Sequence, residues 1–524
     1  MAIRVFNTMT GEKEDLAPLE PGRVRMYVCG ITSYAPSHIG HARSAVAFDV
    51  VYRWLRRSYT VTFVRNYTDV DDKIIKAAHE SGEDPRRLSE RFIALYEADL
   101  ERLRCLSPTV APRVTEHIPE VVTIIERLEA RGHAYRADGD VYFEVPTFSA
   151  YGRLSKRALE DQEAGARVEV DERKRSPQDF ALWKAAKPGE PSWASPWGPG
   201  RPGWHIECSA MAEKYLGPVF DIHGGGRDLV FPHHENEIAQ SCAANGTEDF
   251  AKVWMHNGFV NLIPEACPAC GAALEGGAEP EVGKSCAACG YAFTELDFKM
   301  SKSRGNFYPV GEILDAYEGE ALRLFLLTTH YRKGIAFSHQ LLAEAEKRLD
   351  RNYESLEAIE RMLGAEPDGP AEGLAAALGY DPRARFAEAM DDDFNTAQAL
   401  AEAAEVFRFA NDVLGGTAKE RLGRAVKADE ARRLLREARA ALREMSGALG
   451  LWAEEPAPYL LRRRAKKAAA RHLDPNEIEG QLAARQAARA QKDFAEADRI
   501  RAALEARGVV LRDGKEGTTW AVAD

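Results

Sequence analysis

No uninterrupted apolar run in this chain approaches the roughly 20 residues that a helix needs to cross a bilayer, so neither a membrane-spanning helix nor a membrane partner is expected. The opening residues, MAIRVFNTMTGEKEDL, contain no basic region leading into an apolar core, and a cytoplasmic location is the expectation. A surplus of positive charge is missing too. The formal net charge is −12, which excludes indiscriminate nucleic-acid binding, because an acidic body repels phosphate except where basic residues cluster. Any contact with RNA must be local. Cysteine is sparse: four of the eight form two Cys-x-x-Cys pairs and the rest are scattered, which is not the spacing of a secreted disulfide framework. Metal binding in a reducing compartment fits that usage better. No repeat of fixed period is present.

At 524 residues the chain is long for one core, so several domains are expected. The stretch MYVCGITSYAPSHIGH, from Met26 to His41, reads as the end of a buried strand, a tight loop at Gly30, and a helix opened by Pro36 and Ser37. A helix so placed aims unpaired N–H groups and its positive end at the carboxyl edge of the sheet, where phosphate binds. His38 and His41 fall one turn apart on one face, and Gly40 leaves room for a flat ring. They read either as donors to phosphate oxygens or as a surface pair. A second strand, Val61 to Tyr67, ends at Thr68, where a parallel strand opens onto a ligand crevice. The acids at 69, 71 and 72 are mainly helix caps. Helical pattern begins near Arg86, Ala134 to Val145 is a hairpin around Asp138-Gly139, and residues 187–203 are a Pro/Gly-rich loop. Gly203 to Cys208 and Val219 to His223 look sheet-like, and a helix starts near Pro232. Beyond Ala336 the pattern is helical with few strand signals, interrupted at 364–373 and 456–458.

His233 and Glu237, four positions apart, project from one helix face. With Cys29 and Cys208 they offer a thiolate, imidazole and carboxylate set suited to zinc; alternatively they form a surface pair while the cysteines are core residues. Cys267 with Cys270 and Cys286 with Cys289, each pair followed by glycine, are a strong signal for a structural zinc. Lys299 and Lys302 flank a Met-Ser pair ahead of Gly305. Arg462, Arg463, Arg464, Lys466, Lys467 and Arg471 make a basic run with no acid inside it, either a solvated face or an RNA-backbone contact.

Residues 38–41, NYTDVDDK from Asn66, GWHIECSA from Gly203, DIHGGGRDLVFPHHENE from Asp221, KMSKS from Lys299 and DDDFNTAQAL from Asp391 together resemble the cysteinyl-tRNA synthetase family of class I aminoacyl-tRNA synthetases. The resemblance implies an α/β Rossmann-like parallel-sheet catalytic domain with insertions, followed by an α-helical C-terminal tRNA-binding region. It implies domains at 1–120 and 203–334 (the two catalytic halves), 121–202 (connecting insertion), 335–458 (helical bundle) and 459–524 (tRNA contact), with a knuckle insertion at 262–297. It implies ATP-dependent joining of L-cysteine to tRNA(Cys) through an adenylate, by a monomer using ATP with Mg²⁺. A zinc on Cys29, Cys208, His233 and Glu237 would select cysteine. His38, His41, Lys299 and Lys302 would be catalytic; Gly40, His41, Gly224, Gly225 and Lys302 would meet ATP; Gly30, Thr68, Trp204 and Asp228 would meet the amino acid. Trp520 would stack on a base of the tRNA. The four-cysteine insertion departs from the usual family pattern. Rival readings are a cysteine ligase acting on an amino sugar, which lacks the long helical part, a methionyl-tRNA synthetase, and a non-catalytic RNA-binding paralogue.

Overall fold

Four segments, Arg23–Thr32 (β1), Thr60–Thr68 (β2), Phe220–Gly226 (β3) and Ala251–Asn257 (β4), are buried or half-buried along nearly all of their length, as strands covered on both faces must be. The computed structural model describes residues 2–157, 172–264, 266–274, 283–298, 307–369, 372–514 and 517–523. In it these strands form one parallel sheet in the order β4-β3-β1-β2, so the expected parallel-sheet fold is present. Helix α1 (Ile39–Leu55) carries the chain from β1 to β2. Helices α2 (Trp204–Leu216) and α3 (Glu235–Asn245) flank β3 in the chain. Strand order reverses at β1, with β2 on one side and β3 on the other, which opens a crevice at the carboxyl ends of β1 and β3.

Between β2 and β3 lies a second, antiparallel sheet of Ala134–Ala137, Asp140–Phe143, Phe180–Ala185 and Gly200–Pro202. Its first turn has Asp138 at φ 52° and Gly139 at φ 85°, the left-handed pair that a tight hairpin needs. Two expectations are corrected here. The loop at 187–203 ends in the strand Gly200–Pro202, paired with Phe180–Ala185. Gly203 to Cys208 is the start of α2 rather than sheet: His205 to Ala212 are all buried, so no polar stripe marks the helical period, and the alternation of Trp204, Ile206 and Cys208 imitates a strand.

The chain divides into two compact units, Met1–Glu346 with Leu374–Val406 and Ala441–Leu451, and Lys347–Gly373 with Phe407–Ala440 and Trp452–Asp524. Residues 335–458 thus contribute to both. The second unit is mostly helical but ends in an antiparallel pair, Val509–Gly514 and Gly517–Val522, which the helical reading missed. Trp520 is 4% exposed in that unit's core, and its Nε1 donates to Glu479 at 2.7 Å, so it is packing rather than an open base platform. The basic run is likewise divided. Arg463 is buried against Asp350 at 2.8 Å, Lys467 reaches the same carboxylate at 3.0 Å, and Arg462 pairs with Glu454 at 2.6 Å. Among the described residues no helix is long and apolar enough to cross a membrane.

In the first unit Arg323 is fully buried, donating to the carbonyls of Leu449 (2.7 Å) and Leu103 (3.1 Å) and to the carboxylate of Asp49. Removing one partner of a buried, hydrogen-bonded pair typically costs about 3–5 kcal/mol, because the other charge is stranded. Arg53 and the Leu106 N–H also hold Asp49, so Arg323→Met is expected near the lower end of that range. Urea unfolding checks this; a loss below about 1 kcal/mol would mean the pair is effectively solvated.

Candidate functional site

α1 starts on two imidazoles. His38 is its N-cap in extended geometry, its Nδ1 accepts from the Gly40 N–H at 3.1 Å, and the His38 N–H is accepted by His41 Nδ1 at 3.1 Å. This is a reciprocal capping box made by rings instead of a hydroxyl and a carboxylate. Because each Nδ1 lone pair is used, the proton of each neutral ring sits on Nε2. The rings stack with centroids 3.8 Å apart, and both line the cleft above the sheet.

Cys29, near the carboxyl end of β1, meets Cys208 of α2, His233 of the turn before α3, and Glu237 of α3, one ligand atom from each lying within 4.8 Å of the others. The Cys29–Cys208 sulfur separation is 3.8 Å and Cys29 Sγ to His233 Nε2 is 3.5 Å. A tetrahedral zinc with bonds of about 2.3 Å to sulfur and 2.0 Å to nitrogen requires edges of about 3.8 and 3.5 Å, so these donors fit such an ion. His233 Nδ1 meets His205 Nδ1 at 2.9 Å, which orients the ring so that Nε2 faces the cluster. Burial opposes ionisation of Glu237, but His223 and His233, at 2.8 and 2.9 Å from its two oxygens, hold its carboxyl well below the usual range. The hydrogen bond from Cys29 brings the Cys208 thiol down to about 6, while burial pushes Cys29 up. One thiolate is thus already favoured before a cation is added.

The cleft, of about 2120 Å³, exceeds the roughly 300–1,000 Å³ of an ordinary small-molecule pocket. Gly30, Thr68, Trp204 and Asp228 line it. Gly30 sits at a register shift between β1 and β2, donates to Asn66 Oδ1 at 2.9 Å, and has no room for a Cβ beside the Asn66 carbonyl. Thr68 donates to Glu207 at 2.9 Å, Trp204 stacks on His233 with centroids 4.5 Å apart, and Asp228 is exposed. Gly224 and Gly225 lie against Phe48 and His234, where a Cβ would collide, while Gly226 reaches the cleft wall. Lys299 and Lys302 lie outside the described residues.

The inserted segment brings Cys267, Cys270, Cys286 and Cys289 together, with sulfur separations of 3.7 Å (Cys267–Cys289) and 3.9 Å (Cys270–Cys286), again the edges of a tetrahedral thiolate site. Each pair turns tightly, with Gly271 N–H on the Cys267 carbonyl and Gly290 N–H on that of Cys286, both 2.8 Å. Its apolar cluster is small, built around Cys267, Cys286 and Phe293.

Sequence reasoning missed four further histidines. His234 Nε2 lies 3.3 Å from Cys29 and makes, with His223, Cys29 and Glu237, an overlapping donor set. His256 links His234 (2.8 Å) to Thr8 (2.8 Å), and His205 backs His233. The doublet at 233–234 was the available signal, but nothing in the spacing says which imidazole faces the thiolates.

Residues 15–266 and 290–347 match the family described as tRNA synthetases class I (C) catalytic domain, residues 385–454 a DALR domain, and residues 474–520 a cysteinyl-tRNA ligase anticodon binding domain. The four cysteines of the insertion fall in the gap between the two catalytic matches. Over their full lengths the chain and the cysteine–tRNA ligase of Geobacter sulfurreducens are 51% identical, and the same identity and coverage relate it to that of Anaeromyxobacter dehalogenans. Among solved structures, Mycobacterium tuberculosis methionyl-tRNA synthetase in complex with methionyl-adenylate is similar in fold, with a TM-score of 0.54 and 16% identity over 87% of this chain and 95% of that one.

Adding one methyl at Gly30 should force β1 away from Asn66. Gly30→Ala is expected to cost about 1–3 kcal/mol or more, the range for overpacking, and to lower metal content by displacing adjacent Cys29. Thermal unfolding with metal analysis checks both, and an unchanged metal content would show that the register shift does not set Cys29.

Proposed function

The chain belongs to the cysteine–tRNA ligase family of class I aminoacyl-tRNA synthetases, and from that premise we propose how its residues divide the ligation of cysteine to tRNA(Cys). The observation that carries the reading is the convergence of Cys29, Cys208, His233 and Glu237 at the sheet edge, in the same cleft as the paired imidazoles of α1. Held there, zinc supplies a soft Lewis acid that favours a thiolate over a hydroxyl among incoming side chains. Size alone separates cysteine from serine poorly, whereas a specific polar partner gives roughly 10⁴-fold discrimination or more. Trp204, stacked on His233, walls the side-chain end; Gly30, Thr68 and Asp228 set the amino-acid end.

In the first step the cysteine carboxylate attacks the α-phosphate of ATP and pyrophosphate leaves. His38 and His41 present Nε2–H donors toward phosphate oxygens as charge grows on them, since their Nδ1 atoms are committed to the backbone. Gly40 leaves the backbone open beside them, and Gly226 lets the nucleotide approach the end of β3, while Gly224 and Gly225 keep that strand close to Phe48 and His234. Lys299 and Lys302 would neutralise the departing pyrophosphate, and Mg²⁺, when bound, would supply further positive charge there. In the second step a ribose hydroxyl of the terminal adenosine attacks the adenylate carbonyl and AMP leaves. The 474–520 segment, matched to the anticodon-binding family, meets the tRNA.

The four-cysteine insertion holds a second, structural zinc. Its apolar cluster is too small to fold the segment unaided, so metal binding supplies the folding energy.

Amino-acid-dependent ATP–pyrophosphate exchange tests the reading: exchange with cysteine and not with methionine or serine is expected, and exchange with methionine alone would defeat it. Cys208→Ser should lose pocket zinc and raise the cysteine KM while leaving the ATP KM nearly unmoved; unchanged metal content and cysteine KM would show the pocket is misassigned. Metal analysis of the unmodified protein should find two zinc ions per chain, and replacing Cys267 and Cys270 together by serine should leave one with cysteine binding intact. A single zinc in the unmodified protein rejects the structural site.

A further inference from the structure

The segment from Leu326 to Lys333 is gripped from two directions by buried charge, and it carries a cation into the cleft. From α1, Arg43, 2% exposed, donates to the carbonyls of Leu326, Thr329 (3.0 Å) and His330 (2.9 Å). From the run DDDFNTAQAL comes Asp393, fully buried. It accepts from Tyr331 Oη (2.8 Å), Arg332 Nε (2.6 Å) and the Phe6 N–H (3.0 Å), while its own N–H donates to the Arg4 carbonyl at 2.8 Å. Asp393 and Phe394 have φ of 64° and 51°, the left-handed region that side chains other than glycine avoid. That backbone persists because surrounding contacts over-determine it, a condition that recurs at functional sites.

Arg332 is fixed on two sides. Asp393 holds its Nε, and the guanidinium lies 4.2 Å from the centroid of the Phe6 ring. Its side chain remains 32% exposed, and it lines the cleft together with Phe6, Lys333 and Gly334. Gly258 keeps the following backbone close, since a Cβ there would overlap the Lys333 carbonyl. A guanidinium held by a carboxylate and a ring has already lost most of its rotamer freedom, so presenting its remaining edge to an oxyanion costs little further entropy. The surroundings favour an anion: the described lining includes Lys73, Arg157, Arg227 and Lys333 but only one carboxylate, Asp228.

We propose that Arg332 binds a phosphate oxyanion of a substrate in the cleft, with Asp393 as its positioning residue. This rests on the ligase reading. The phosphate has two sources, the triphosphate of ATP and the terminal phosphodiester of the tRNA, and the two half-reactions separate them.

The experiment compares the unmodified full chain with Arg332→Gln, Arg332→Lys and Asp393→Asn in cysteine-dependent ATP–pyrophosphate exchange and in tRNA charging. Losing a charge-assisted contact should raise the relevant KM about tenfold or more. A rise in the ATP KM during exchange assigns the triphosphate; normal exchange with a raised tRNA KM assigns the phosphodiester. In either case the cysteine KM of Arg332→Gln should stay put, and Arg332→Lys should recover part of the loss. Asp393→Asn should shift the same KM, and adding it to Arg332→Gln should bring no further shift. Normal exchange by the unmodified chain with both KM values of Arg332→Gln within about twofold overturns the proposal alone. An effect of Asp393→Asn on the thermal midpoint with no KM change overturns the positioning role. Absence of cysteine-dependent exchange in the unmodified chain overturns the ligase reading, and the proposal with it.

Discussion

A single negative charge with no access to water governs the arrangement of the catalytic unit. Glu237 is fully buried, and the neighbouring imidazoles hold its carboxyl well below the usual range, so the elements around it must supply compensation for its charge. His223 comes from β3, His233 from the turn ahead of α3, and Cys29 approaches from β1 at 3.5 Å. A sheet order that reverses at β1 brings the carboxyl ends of β1 and β3 together, and only there can ligands from both strands reach one carboxylate. The same reversal places α1 beside the cluster. The position of the four-donor cluster relative to the paired imidazoles of α1 is therefore a consequence of strand order as much as of side-chain choice.

Much of this was legible in the residues. Strands covered on both faces read as apolar runs, and Pro36-Ser37 ahead of His38 marks a helix start. What escaped was hidden by burial. α2 has no polar stripe from His205 to Ala212, so its period could not be read. The strand Gly200–Pro202 sits in Pro/Gly-rich sequence that normally means loop, and it is stabilised by pairing with a partner not adjacent in sequence. The same limit applied to charge. Arg462, Arg463 and Lys467 read as an open basic stripe, yet their carboxylates come from residues 454 and 350, in one case more than a hundred positions away. Trp520 looked like a stacking surface because its cover, Leu473 to Leu511, cannot be seen from the terminal residues alone. Metal donors were the opposite case. Thiols and imidazoles at such spacing are informative before any fold is known, although spacing does not choose between His233 and its neighbour.

The two donor clusters obey one geometry and differ in what surrounds them. In the pocket the thiols belong to rigid strand and helix, and a shell of histidines sets which nitrogen faces inward. In the insertion the thiols sit on two matched turns with little apolar cover, Cys270 and Cys289 being exposed. The first arrangement keeps its shape through the sheet behind it; the second has only its own turns.

The grip of Asp393 on Phe6 joins residues 387 positions apart, and the first compact unit also includes Ala441–Leu451. During translation, then, the catalytic sheet emerges long before the residues that complete its unit. At about 5–20 residues per second, on the order of half a minute or more passes between the appearance of β1 and the arrival of the last contributing helix. Through that interval the nascent chain displays a parallel sheet with unfinished packing, a slow and aggregation-exposed topology. A protein whose product is a precursor of translation is thus itself a demanding client of the ribosome: the unit that makes the adenylate can close only when the chain is nearly whole.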